Sequence, residues 1–171
     1  MMIIKYIFLA IIFTISIRTG IYISKKYVNR VRELNDMQRA LNMFEEKIKF
    51  TYEPIPDVFI EISKTCIKGI NEIFKNSAYE MKTMTAGEAW EKSLDISKTN
   101  LNKDDIEVLK GMAKMLGKTD LDGQVSEIEL TRKFLEIKIK DAEIEKNKNQ
   151  KLYKTLGSTI GLTIVIILIW Q

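Results

Sequence analysis

The feature that most constrains this 171-residue chain is where its charges are not. All 23 acidic residues fall between Glu33 and Glu145, and the first 23 and last 16 residues carry only Lys5 and Arg18. Two apolar ends therefore bracket a charged middle. A hydrocarbon core about 30 Å thick takes about 20 helical residues, and Ile3 to Ile23 supplies 21. Lys5 and Arg18 sit near opposite ends of that stretch, where their stems can carry the charges out to headgroups. A cleaved signal peptide would share the basic start and apolar run, but Arg18-Thr19-Gly20-Ile21-Tyr22 offers no A-x-A-like small-residue site. At the other end Leu156 to Trp170 is 15 residues without a charge, and Lys154 can lengthen it by snorkelling. A buried core helix could be this short; the terminal position and the Ile-Val-Ile-Ile-Leu-Ile composition favour a span. Trp170 and Tyr6 suit interfacial anchors. The sequence thus predicts transmembrane helices at residues 1–23 and 153–171 around a central domain at 24–152.

Orientation follows from the basic flanks. Lys25, Lys26, Arg30 and Arg32 follow the first apolar segment, and Lys146, Lys148, Lys151 and Lys154 precede or open the second. The far sides offer only Lys5 and the amino terminus, so the positive-inside rule places the middle in the cytoplasm and both termini outside. Small residues recur one turn apart, at Ser16, Gly20 and Ser24 in the first segment and at Gly157 and Gly161 in the second. Such faces let helix backbones approach closely in lipid, joining the two spans or meeting a partner's helix.

The middle excludes several classes of function. Its 25 basic and 23 acidic residues leave a net charge of 25 − 23 = +2, too small an excess for a dedicated nucleic-acid binder. The single cysteine, Cys66, precludes an internal disulfide and suits a reducing compartment. With no histidine, the usual general base and the commonest metal ligand are both missing.

Periodicity makes the middle helical. Val28, Val31, Leu34, Met37, Leu41, Phe44 and Ile48 step by three or four and draw one apolar stripe on a long helix continuing from the first span. Pro54 opens a second helix with Ile55, Phe59 and Ile62 on one side. A third apolar segment covers Cys66 to Met81, with Ile67, Ile70 and Phe74 at helical spacing. Thr85-x-x-Glu88 reads as a capping box ahead of Trp90 and Leu94. Asn102 reads as an N-cap, stapled by Leu101 and Ile106, for a helix through Leu109, Met112 and Leu116 that Gly117 stops. A final helix from about Asp120 carries Leu121, Val125, Ile128, Leu135, Ile139 and Ala142. The expectation is an all-α, six-helix bundle flanked by two membrane helices.

No motif in this bundle carries catalysis. Gly111-Met-Ala-Lys-Met-Leu-Gly117-Lys118-Thr119 evokes a phosphate loop, but five residues separate the glycines where the motif needs four, and no strand precedes them. Asp104, Asp105 and Glu107 fit the helix dipole better than a metal. Cys66 lacks a histidine to activate it. The expectation is no enzyme, cofactor, metal or small-molecule substrate, with basic flanks touching anionic lipid.

An ordered set of residues nonetheless resembles one family, stage III sporulation protein AB. It comprises Thr19-Gly20, Lys26-Tyr27 with Arg30, Leu41 to Glu45, Ile48, Pro54, Glu88-Ala89-Trp90-Glu91-Lys92-Ser93-Leu94, Glu107-Val108-Leu109-Lys110, Leu116-Gly117-Lys118-Thr119-Asp120, Leu156-Gly157 and Gly161. Glu53, where the family pattern has threonine, and Arg18 depart from it. The family is similar to the F-type platform proteins of type II secretion and type IV pilus machines, whose cytoplasmic domains are six-helix bundles. The resemblance implies a scaffold in the channel from mother cell to forespore, in the mother-cell-derived outer forespore membrane. It implies work beside a secretion-type ATPase, stage III sporulation protein AA, and other channel proteins. Glu45, Glu88, Trp90 and Asp120 stand on its landmarks and are candidate partner contacts; each could equally be structural. Ser16, Gly20, Gly157 and Gly161 are candidate membrane-helix packing positions. The alternatives are a platform protein of an ordinary secretion or pilus system and a membrane-bound sensor or enzyme, the latter without a visible polar pocket.

Overall fold

The computed structural model describes residues 2–51, 53–118 and 120–170, with side chains described among these except at 2–6, 9, 154, 157 and 168–170. Among the described residues the chain is all helical: α1 (Met2–Phe50), α2 (Ile55–Thr65), α3 (Ile70–Glu80), α4 (Ala86–Ile96), α5 (Lys103–Gly111), a 3₁₀ turn (Met112–Lys114) and α6 (Leu121–Trp170). The chain divides into two compact units: Arg30–Asp141, and Met1–Asn29 with Ala142–Gln171.

In the unit Arg30–Asp141, the predicted stripe of α1 is the core. Leu34, Met37, Leu41 and Phe44 are fully buried, with Val31 and Ile48 nearly so. Phe44 meets Phe59 edge-on at 4.9 Å, Phe59 meets Phe74 at 5.0 Å, and both Phe59 and Phe74 lie against Trp90, at 5.6 and 5.3 Å. One aromatic cluster thus ties α1, α2, α3 and α4 in the geometry that ring quadrupoles favour.

Polar residues on and beside this stripe of α1 pin the connections between the short helices. Asp36 accepts the Ile67 amide at 2.8 Å, and Arg39, paired with Asp36, donates to the Thr65 carbonyl at 2.7 Å, so the α2–α3 turn is held at both edges. Glu33 accepts the backbone amide and the side-chain amide of Asn100, each at 2.6 Å, fixing the α4–α5 connection. Arg30 grips Asp105 at the start of α5. Lys47 reaches Glu61 on α2 at 2.7 Å.

Helix starts follow the sequence closely. Thr85 and Glu88 close a reciprocal capping box at α4, and Asn102 does the same with Asp105 at α5. Asp120 accepts the Gly123 amide at 3.1 Å and caps α6. Three boundaries differ from expectation. Pro54 lies just outside α2 as its N-cap, with Pro56 inside the first turn. The third helix begins at Ile70, not Cys66, because Gly69 at φ 96° turns the chain first. The helix from Asn102 stops at Gly111 and tightens into the 3₁₀ turn, where the Ala113 carbonyl descends onto Gly87 of α4, so close that a Cβ there would lie 2.2 Å from it. Gly117, at φ 71°, adopts the expected left-handed stop.

In the unit formed by the chain ends, α1 and α6 run antiparallel. Tyr27 stacks on Tyr153 with ring centroids 5.9 Å apart, and Gly161 lies against Phe13 and Ser16. Among the described residues, no helix is long and apolar enough to cross a membrane. Lys5, Tyr6, Lys154 and Trp170, expected to flank or anchor the spans, lie outside the described side chains. The membrane helices expected at 1–23 and 153–171 have no support from the described residues and stand on the sequence.

Candidate functional site

The candidate contact residues occupy two regions of the bundle. Glu45 is nearly buried between α1 and α6, where it accepts from Lys49 at 2.5 Å and pairs with Arg132. Burial opposes its ionisation, but the hydrogen bonds from Lys49 and Arg132 outweigh that, holding the carboxyl below its ordinary value. Lys49 also reaches Glu129 at 3.6 Å, and Gln38 approaches Glu136 at 3.5 Å, so polar rungs join the two helices along this seam.

Glu88 and Trp90 lie on α4, and Asp120 follows the Gly117 turn, which packs against Ala86 at the start of α4. Glu88 is exposed and capped onto Thr85, whose hydroxyl and amide lower its pKa, with a smaller contribution from nearby Lys118. Trp90 is fully buried and donates its indole N–H to the Leu109 carbonyl at 2.8 Å. Asp120 is exposed and caps α6. All three therefore serve the fold. Glu88 and Asp120 also present carboxylate edges to solvent, whereas Trp90 presents no surface at all.

The membrane-packing candidates divide similarly. Gly20 is buried, and a Cβ on Gly161 would lie 2.9 Å from Phe13 and 3.2 Å from the Ser16 Cβ. Ser16 and Gly161 thus face each other within one chain. Gly157 lies in α6, but its surroundings lie outside the described residues.

The nucleotide-loop look-alike has no free cradle of amides. The Met115 and Leu116 amides donate to the Met112 carbonyl, Lys118 to Met115, and Gly117 to the Gln124 side chain. Thr119, its last position, lies outside the described residues. Burial, with Asp36 nearby, pushes the Cys66 thiol up to about 11, so it stays protonated at neutral pH. Among the described residues no group of three or more His, Cys, Asp or Glu could hold a metal ion.

Two features are not apparent from sequence reasoning. Asp105, which resembles its acidic neighbours as a response to the helix dipole, is fully buried in a two-pronged ion pair with Arg30, at 2.8 and 2.9 Å. Only the presence of Arg30 on the opposite apolar helix hints at this. A second apolar stripe on α6, Leu130, Phe134 and Ile137, is exposed beside the buried one. Its four- and three-residue steps are visible in the sequence, but a single stripe already accounts for the helix and conceals them.

A family model for stage III sporulation protein AB matches residues 5–169. The chain belongs to the stage III sporulation protein AB family. It is 30% identical over 154 residues to stage III sporulation protein AB of Bacillus subtilis (strain 168), covering 88% of this chain and 90% of that relative. A solved structure of a stage III sporulation protein AB superposes with a TM-score of 0.64 at 27% identity, over 70% of this chain and 98% of that one. The landmarks that carry the resemblance lie within the matched range, and membership makes this a sporulation protein with a helical-bundle fold.

Proposed function

We propose that this chain is a non-enzymatic, membrane-anchored scaffold of the channel between mother cell and forespore, working beside a secretion-type ATPase. The observation that carries the reading is the arrangement of the chain ends within this family. Two apolar segments pair antiparallel through Ser16, Phe13 and Gly161, and lysines and arginines cluster where each joins the middle of the chain. An antiparallel pair returns the chain to the side it left, consistent with both termini outside and residues 24–152 in the cytoplasm of the mother cell. Two anchors restrict the orientation of the bundle and raise its effective concentration for partners at the same membrane. A scaffold of this kind needs rigid presentation, which the pinned connections on α1 supply. Glu88 with nearby Lys118, and Asp120 beyond the Gly117 turn, are exposed charges suited to select a partner. Glu45 holds the α1–α6 seam, and Trp90 supports α4 from beneath.

The test is affinity recovery of the full-length protein from sporulating cells. The reading expects the secretion-type ATPase, stage III sporulation protein AA, together with other channel proteins. Recovery of neither from protein present at its normal membrane level would refute it. Topology is checked separately with Cys66 replaced and thiols introduced near Met1, at Lys98 and near Gln171. An impermeant reagent should label the two ends in intact cells, and labelling at Lys98 would reverse the orientation.

A further inference from the structure

We infer that the groove between α5 and α6 is a docking site for an amphipathic helix of another protein, apolar on one face and flanked by lysine or arginine. The groove encloses about 320 Å³ and is lined by Glu107, Val108 and Gly111 of α5 and by Glu127, Leu130, Thr131 and Phe134 of α6. Its floor is apolar, and Leu130 and Phe134 remain 45% and 48% exposed although each lies beside a buried turn of the same helix. Ile137, 54% exposed, extends the stripe by one more turn. Steps of four and three place these side chains on one face of α6, distinct from the face that buries Ile128 and Leu135 in the bundle.

The occupant follows from shape and charge. A cleft between two helices that presents residues at i, i+4 and i+7 accepts a third helix with complementary apolar spacing. The charged side chains lining it are Glu107 and Glu127, both acidic. Lys110 stands 4.0 Å from Glu107 but is held by Asp95 at 2.7 Å, and the adjacent Lys138 is turned toward Asp104 at 3.7 Å, so each of these cations has a carboxylate of its own outside the groove and the rim stays acidic. Gly111 keeps the floor open: a Cβ there would meet nothing nearer than Glu127 Oε1 at 4.0 Å. A helix whose apolar ridge is bordered by cations fits this groove, and one bordered by carboxylates is repelled. This inference rests on the groove alone and is independent of the channel reading.

The experiment uses the full-length chain in phosphatidylcholine nanodiscs, with empty nanodiscs as the baseline. The probe is a fluorescent helical peptide of about five turns with leucines at i, i+4 and i+7 flanked by lysines, compared with a twin in which glutamates replace the lysines. The expected result is binding of the lysine peptide about tenfold tighter than its twin, with the preference inverted by Glu107→Lys combined with Glu127→Lys. Phe134→Ser should cost at least about tenfold, and Leu130→Ser provides the same reading should Phe134→Ser not fold. A photoreactive residue in place of Phe134 should crosslink the lysine peptide, and one in place of Tyr79, exposed elsewhere, should not. Equal binding of both peptides, an unchanged preference in the charge-reversed variant, or crosslinking from position 134 into a second copy of the chain would each overturn the proposal.

Discussion

Replacing Gly87 with alanine tests the packing of the bundle most sharply, because two effects of opposite sign meet at one atom. In an open helix the change stabilises by about 1 kcal/mol, since alanine loses less backbone freedom. Here the new Cβ would stand 2.2 Å from the Ala113 carbonyl oxygen and 3.2 Å from its carbon. Carbon–oxygen contacts of this kind settle at about 3.3–3.6 Å, so α4 and the 3₁₀ turn must part by about 1 Å. The obstacle is backbone, and Met112 and Ala113 beside it are buried, so no side-chain rotation relieves it. Overpacking of a close-packed core costs about 1–3 kcal/mol, and backbone displacement puts this site at the upper end. The net expectation is a loss of about 1–2 kcal/mol, or a Tm lower by about 5–10 °C for a unit of this size. Thermal unfolding followed by Trp90 fluorescence in a Trp170→Phe background measures it. Gly111→Ala is the control, since its Cβ has open space to 4.0 Å, and should melt at or slightly above the wild-type temperature. A Gly87→Ala protein that melts with Gly111→Ala would refute the close approach of α4 and the turn.

Three further outcomes are expected. Because the Glu45 carboxyl is held below its ordinary value, its contribution is present above the unfolded value of ~4.3 and fades as pH falls through the folded one; urea midpoints of wild type and Glu45→Gln should differ most near neutrality and converge as pH falls below both values. Asp105→Ala takes the carboxylate of the two-pronged pair away from the buried Arg30 guanidinium and removes the Asp105 half of the α5 capping box, so denaturant unfolding should register a loss of about 3–5 kcal/mol, and a loss under about 1 kcal/mol would show the pair to be dispensable. Gly161→Ala should lower the thermal stability of the full-length protein in detergent, and Phe13→Ala in the same chain should restore it, since the Phe13 ring is the first group met, at 2.9 Å; no restoration would refute the α1–α6 contact.

The parts of this fold that the sequence announces are those written in local spacing. The stripe from Val31 to Ile48, the box at Thr85, the N-cap at Asn102 and the stop at Gly117 each depend on residues within a few positions of one another, so period and capping chemistry suffice to find them. Features that depend on distant partners are not legible in this way. Asp105 looks like any first-turn carboxylate until Arg30, 75 residues earlier, is brought against it. The early end of α5 is equally opaque, because the turn that follows it packs against a glycine on another helix. The same limit applies to the candidate contacts: Trp90 stands on a family landmark, yet its position there reflects a core indole bound to the Leu109 carbonyl.

The apolar and polar residues of α1 together explain how a bundle of such short helices can serve as a rigid support. Helices of 9 to 11 residues are marginal by themselves, since so few residues barely offset the cost of nucleation. Here the apolar face of α1 gathers them through Phe44 and the aromatic cluster, while Arg30, Glu33, Asp36 and Arg39 fasten the connections between them. The connections are thereby denied the freedom that loops usually keep. Since α1 and α6 close the polar seam through Glu45 and Arg132, the buried side of α6 is committed to the bundle. Its exposed stripe of Leu130, Phe134 and Ile137 plays no part in that closure. Apolar surface that neither completes the core nor caps a helix gives no stability to the isolated chain and carries the cost of exposure to water. Its place on a rigid helix beside an acidic rim is what a preorganised docking surface requires, because binding a partner then demands little further ordering.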